Sequence, residues 1–223
     1  MTDVPPKSLL VIKTPLVIAI DGPAAAGKGT LAMRLAAHFA LPYLDTGLLY
    51  RAIGRMMAER GYDLDDAELA GTFAAHLDPD DLSHPGLRGH EAGEFASRVA
   101  AHPQVRAALL DFQRAFAAGP VGAVLDGRDI GTTICPDAPV KIYVTATAEV
   151  RAARRTGELG AKGRNVEYER ILAEIRERDA RDSGRVTAPL RPAEDAAILD
   201  TSNLDREGAF RAALDIVEAK RAP

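Results

Sequence analysis

The chain has a single cysteine, Cys135, in 223 residues, which excludes an internal disulfide and a cysteine-built metal site. No apolar run approaches the roughly 18 residues that a membrane span needs. The apolar start LLVIKTPLVIAI is interrupted by Lys13 and Pro15, and its second half reads as a core strand rather than a signal peptide. Positive charge is not in excess either. With a net charge of −4 there is no global field to hold a nucleic-acid backbone or an anionic membrane, so neither is expected as a partner. No Ser/His/Asp or Cys/His constellation stands out, and His76, His84 and His90 fall in a stretch read as surface. Internal repeats and low-complexity tracts are absent. A cytoplasmic protein is expected, with monomer as the default state.

The apolar content of 47% and the charged content of 27% suit one α/β domain able to bury its own core. Within the 28 cations, 22 are arginine. Arginine pairs bidentately with phosphate, but a base-composition bias in the encoding DNA would enrich it too, and composition does not separate the two.

Five short apolar runs alternate with helical patterns: Leu16 to Ile20, Leu41 to Leu44, Val121 to Leu125, Val140 to Val144 and Ala196 to Leu199. Alternation of this kind predicts a five-stranded parallel sheet with helices on both faces. Leu31, Leu35 and Phe39 mark the buried face of a first helix ended by Pro42. Thr46 is placed to cap a second helix carrying Leu48, Leu49, Ile53, Met56 and Met57. From Gly61 to about Ala92 Asp, Gly, His and Pro accumulate. That stretch predicts an irregular surface excursion with one short helix near Asp66 to His76. A further helix after Pro103 buries Val105, Leu109, Phe112 and Phe116. Residues 1–14 read as a loose tail.

The first strand runs into Asp21-Gly22-Pro23-Ala24-Ala25-Ala26-Gly27-Lys28-Gly29-Thr30. Gly-x-x-x-x-Gly-Lys between a strand and a helix brings backbone N–H groups, a helix N-terminus and a mobile ammonium to one anion. This is a P-loop, and Gly22 to Thr30 are its expected polyphosphate-binding residues. The strict motif has Ser or Thr directly after the lysine, where Gly29 stands. The Gly-Lys-Gly-Thr form points to small nucleotide kinases rather than GTPase switches.

Ligands of open parallel sheets sit at the carboxyl ends of the strands. There lie Asp21, Asp45-Thr46-Gly47 and Asp126-Gly127-Arg128-Asp129. Turn chemistry favours Asp, Thr and Gly, but a turn needs neither an arginine nor two carboxylates. Asp126 is the candidate for orienting Mg2+, directly or through water, with Thr30 or its loop sharing the task. Residues 151–191 hold ten arginines. Arg151, Arg154 and Arg155 lie on one helix. A Gly-rich hinge spans Thr156 to Arg164, and a second helix buries Ile171, Leu172 and Ile175. The pair predicts a lid at about 154–166 that brings cations to phosphate. For Arg170 and Arg176, pairing with glutamates on a solvated helix suffices. A nucleotide monophosphate is already mostly dianionic at neutral pH, so transfer to it needs no general base.

Five separated strings, IDGPAAAGKGT, LDTGLLYRA, ASRVAAHPQVRAALLDFQRAF, LDGRDIGTTICPDAPVKIYV and ERDARDSGRVTAPLRPAEDAAILDTS, resemble the bacterial cytidylate kinases from about Leu16 to the C-terminus. The resemblance implies a single P-loop kinase domain over 1–223, with an NMP-binding excursion at about 61–100. It also implies transfer of the γ-phosphoryl of ATP to CMP or dCMP with Mg2+. Thr46, Arg128 and Asp129 would face cytosine. The cytosine amino group donates to a carboxylate, whereas uracil presents a carbonyl there and would leave Asp129 unpaired. Ser97, Arg178 and Asp182 would meet the pentose, and Arg51, Arg106 and Arg185 the acceptor phosphate. Lys28, Arg128, Arg154, Arg155 and Arg185 would act on the transferring group.

Two departures from the family pattern stand out. The stretch between LLYRA and ASRVA is short and lacks the strands of a small inserted sheet. Thr46 replaces the usual serine, keeping the hydroxyl and adding a methyl. Within enzymes, another P-loop kinase of a small phosphate or alcohol acceptor is the alternative, such as a UMP/CMP or shikimate kinase. Outside them, the alternative is a module that binds ATP without transferring phosphate.

Overall fold

Leu16–Asp21 forms β1 because its β-branched residues alternate between two apolar surroundings. Ile18 and Ile20 face one side and Val17 and Ala19 the other. The computed structural model describes residues 15–221, so the expected tail at 1–14 lies outside the described residues. The chain continues through α1 (Lys28–Phe39), β2 (Tyr43–Asp45), α2 (Thr46–Glu59), α3 (Ala67–Ala75), α4 (His90–Val99) and α5 (Pro103–Ala117). Then come β3 (Gly122–Gly127), β4 (Val140–Thr145), α6 (Ala148–Ala161), α7 (Tyr168–Ser183), β5 (Ala197–Asp200) and α8 (Arg206–Arg221).

The strands pair in the order β2-β3-β1-β4-β5, all parallel. On one face, Ile18, Ile20, Val124, Ile142 and Val144 pack against Leu31 and Leu35 of α1 and Val217 of α8. On the other, Ala19, Ala123, Leu125 and Leu44 pack with Ala117 of α5 and with Ile130 and Ile134. This is the α/β sheet with helices on both faces that the alternation predicts. Among the described residues no helix is long and apolar enough to cross a membrane.

Several local expectations are corrected. The first helix ends at Phe39, before Pro42, because Ala40 takes a left-handed φ of 52° and caps the chain. Thr46 is the first residue of α2 rather than its cap. Asp45 holds the cap position, and the Thr46 hydroxyl instead donates to the Asp126 carbonyl at 2.8 Å. Phe112 is exposed, since α5 turns Val105 and Leu109 toward one core and Phe116 toward another. The excursion does contain the short helix, α3, but it is more than surface. Leu64, Ala70 and Ala74 bury with Leu49, Ile53, Met57 and Val105 in a second core, and Leu87 is buried as well.

Candidate active site

The sheet order makes β2, β3 and β1 neighbours, so the three charged strand ends meet at one edge. Asp45 lies opposite Asp126, and Asp21 opposite Gly127. These ends open into a cleft of about 1180 Å³. The residues expected to bind substrates or metal line it, except Gly22 and Pro23; Asp21 and Arg151 do not line it.

The P-loop turns where only glycine fits: Gly22 has φ +146°, and a Cβ there would lie 1.9 Å from the Val144 carbonyl oxygen. Gly27 precedes α1 in a left-handed conformation and offers no side-chain cap, leaving the first amides of the helix to an anion. Lys28 is buried and donates from Nζ to the Pro23 carbonyl at 2.8 Å. Burial first, and then the charge of Arg128, lowers its pKa to about 7.

Asp126 stands next to last in β3, with Oδ1 accepting from the Tyr43 hydroxyl at 2.7 Å. Burial, and then the neighbouring Asp45, raises its pKa to about 6. A Cβ on Gly29 would stand 3.9 Å from Asp126 Oδ2, so the missing serine leaves room before that carboxylate. Two crowded carboxylates facing a phosphate loop fit a divalent cation. Among the described residues no group of three or more His, Cys, Asp or Glu could hold a metal. Most ligands would therefore come from water and phosphate oxygens, as suits Mg2+.

Beyond Asp126 the chain places Arg128 and Asp129 side by side. Asp129 is buried and its carboxylate accepts from Arg106 Nη2, itself buried over the Tyr50 ring at 5.6 Å. Arg128 donates from Nε to Asp182 at 3.0 Å. Asp182 also accepts from Ser97 Oγ at 3.2 Å and from Arg185 at 2.5 Å, with Arg178 at 3.8 Å. Burial alone would raise the Asp182 carboxyl, but Arg128, Arg185 and Arg178 overcome it and hold it at about 2. One carboxylate does not neutralise these arginines. Burial and then Arg128 lower Arg178 to about 10, and burial also lowers Arg51 and Arg185. The buried Nε atoms of Arg178 and Arg185 have no hydrogen-bond partner. Lys28, Arg51, Arg128, Arg178 and Arg185 thus line the cleft with more positive charge than the carboxylates beside them balance.

The arginine-rich pair differs from expectation in its hinge. Gly157 and Gly160 are helical within α6, and the irregular connection is confined to residues 162–167. Packing of Ala152 and Leu159 on Ile171, Leu172 and Ile175 holds α6 together through its glycines. Arg154 donates to Thr201 Oγ1 at 3.0 Å, to the Thr201 carbonyl at 2.6 Å and to the Leu204 carbonyl at 3.2 Å. Arg155 pairs with Glu158 at 3.5 Å. Arg170 and Arg176 pair with Glu174 and Glu149, the simpler roles expected of them.

Three groups hold contacts that no local pattern announces. Tyr43, inside a short strand run, donates to Asp126. Arg151, at the head of the arginine-bearing helix, is buried, donates to both oxygens of Asp179 and reaches the P-loop carbonyl of Ala24 at 3.2 Å. Asp21 carries no local signal of its partners, which lie more than a hundred residues away.

The family model for cytidylate kinase matches residues 18–219. The cytidylate kinase of Methylocella silvestris is 60% identical over 204 residues, covering 92% of this chain and 94% of that protein. That of Rhodopseudomonas palustris is 58% identical, covering 93% and 98%. That of Paramagnetospirillum magneticum is 60% identical, covering 92% and 99%. Among solved structures, an uncharacterized protein from Eubacterium ventriosum is similar at a TM-score of 0.53 and 15% identity, covering 92% of this chain and 99% of that one. A gluconokinase from Sinorhizobium meliloti is similar at 0.50 and 13%, covering 92% and 93%. At these identities the solved structures show the shared fold alone.

Proposed function

The chain belongs to the cytidylate kinase family, and we propose how its residues move the γ-phosphoryl of ATP to CMP or dCMP, releasing ADP and CDP or dCDP. The P-loop, Gly22 to Thr30, takes the ATP phosphates. Bound phosphate replaces the Pro23 carbonyl as the partner of Lys28 and offsets the burial, and then the Arg128 charge, that lower its pKa. Asp129, Arg106 and Thr46 read the cytosine. Arg106 joins the cytosine set rather than the acceptor-phosphate set because it donates to Asp129, and Arg128 leaves the cytosine set for the acceptor phosphate because it donates to Asp182 beside Arg185. Ser97 and Asp182 meet the pentose with Arg178, and Arg51, Arg128 and Arg185 hold the acceptor phosphate.

The observation that carries this reading is the cluster of under-neutralised cations between the P-loop and Asp129. An acceptor that is already dianionic is attracted there and needs no base, so the residues position it and neutralise charge. Asp126, with Asp45 beside it, would hold Mg2+, which when bound neutralises charge on the phosphate oxygens. Arg154 and Arg155 belong to a lid at about 154–166 that excludes water on closing, and residues of about 61–100 close over the CMP. The protein acts as a cytoplasmic monomer on small molecules, with neither nucleic acid nor membrane as partner; its net charge of −4 supports this.

Asp129→Ala tests the base-reading assignment. CMP turnover should fall on the order of a hundredfold or more while ATP binding is kept, because the cytosine amino group loses its acceptor. Equal loss of both would remove Asp129 from base recognition.

A further inference from the structure

Asp21 is the last residue of β1, directly before Gly22, and only 4% exposed. Its two carboxylate oxygens are both used. Oδ1 accepts from the Ile130 amide at 2.8 Å and Oδ2 from the Gly131 amide at 2.8 Å. These amides open the single π-helical turn Ile130–Ile134 that follows Asp129.

Asp129 occupies the N-cap position of that turn, yet its side chain makes no capping bond. An aspartate at an N-cap ordinarily turns its carboxylate back onto an amide two or three residues ahead. Here the Gly131 amide, two ahead, is already bound to Asp21. The Asp129 carboxylate instead meets Arg106 in the cleft. The backbone carbonyl of Asp129 still accepts from Thr133 and Ile134, so the turn itself is closed.

We propose that Asp21 is a positioning residue for acceptor recognition: it caps the π turn from the neighbouring strand and thereby frees the Asp129 carboxylate to face the base. Without Asp21, the orphaned amides offer Asp129 a local partner, and turning toward them takes it out of the cleft. The inference rests on the assignment of Asp129 to the base.

The test compares Asp21→Asn with the unmodified protein, using CMP and UMP as acceptors and titrating ATP separately. Asn is nearly isosteric and offers only one acceptor oxygen to the two amides. The KM for CMP should rise about tenfold, the CMP-over-UMP preference should fall by a similar factor, and kcat at saturating CMP and the affinity for ATP should stay within about twofold. An unchanged KM and preference in the folded variant would overturn the proposal, as would equal loss of ATP and CMP affinity, which marks collapse of the P-loop. If the unmodified protein itself does not prefer CMP to UMP, the Asp129 assignment fails first, and the two failures are distinguishable. A second measurement needs no substitution. The Ile130 and Gly131 amides of the unmodified protein should exchange with solvent deuterium far more slowly than exposed amides, and exchange at the exposed rate would overturn the proposal even if Asp21→Asn did not fold.

Discussion

The Tyr43 hydroxyl donates to Asp126 Oδ1 at 2.7 Å and ties the first residue of β2 to the carboxylate next to last in β3. The space a serine would fill after Lys28 opens toward this pair, since a Cβ on Gly29 would lie 3.6 Å from the Tyr43 hydroxyl. Tyr43→Phe keeps the ring and removes the donor. One Asp126 oxygen is then free to rotate away from the phosphates. The Mg2+ concentration for half-maximal rate should rise several-fold and kcat/KM should fall about tenfold, at the strength of one hydrogen bond to a charged group. A magnesium titration of the two proteins measures it, and superimposable curves would remove Tyr43 from the site.

Lys28 gives a prediction in which stability and activity move in opposite directions. Its ammonium is buried and crowded by Arg128 and Arg178. Lys28→Met keeps most of the volume and removes a charge that burial, and then Arg128, make costly. The turnover number should drop about 10²–10³-fold, as when a preorganised charge is deleted from a phosphoryl-transfer site. The thermal midpoint should rise by about 2–4 °C, the shift expected of a relief near 1 kcal/mol in a chain of this size. Calorimetry and steady-state rates on one preparation decide it, and a lower midpoint would show that the hydrogen bond to Pro23 outweighs the crowding.

Asp182 sets an acid limit on stability. Its folded pKa, about 2, lies below the ordinary aspartate value of 3.8, so the folded protein favours the ionised form. That contribution is fully present above pH 3.8 and is lost as pH falls through 2. It amounts to about 2 kcal/mol. Asp182→Asn should therefore be less stable than the unmodified protein at pH 6, and the gap should narrow by that amount as pH falls from 4 toward 2. Denaturant midpoints at stepped pH measure the gap, and a gap independent of pH would contradict the assignment.

The strands were legible because each is an apolar run bounded by turn residues, and the strand-end motifs because parallel sheets bind at their carboxyl ends. What could not be read was set by contacts distant in the chain. Asp21 meets Ile130 and Gly131, 109 and 110 residues on, and Arg151 meets Asp179 across the α6–α7 pair. The Thr46 hydroxyl looks like a cap from its neighbours alone, and it binds Asp126 because the sheet order puts β3 beside β2. The Gly-rich stretch expected as a hinge is largely helical for a related reason. Two glycines weaken a helix locally, but burial of Ala152 and Leu159 outweighs that loss. Leu87, in a stretch rich in His, Pro and Gly, is buried by α2 and α4, which no local pattern announces.

The most direct measurement is ADP release from ATP with CMP, dCMP, UMP, AMP and shikimate offered in turn to the purified protein. The account predicts rapid release with CMP or dCMP, at least on the order of a hundredfold slower release with UMP, for which Asp129 has no donor, and none above background with AMP or shikimate. Comparable rates with UMP and CMP, or release with none of the five acceptors, would contradict it.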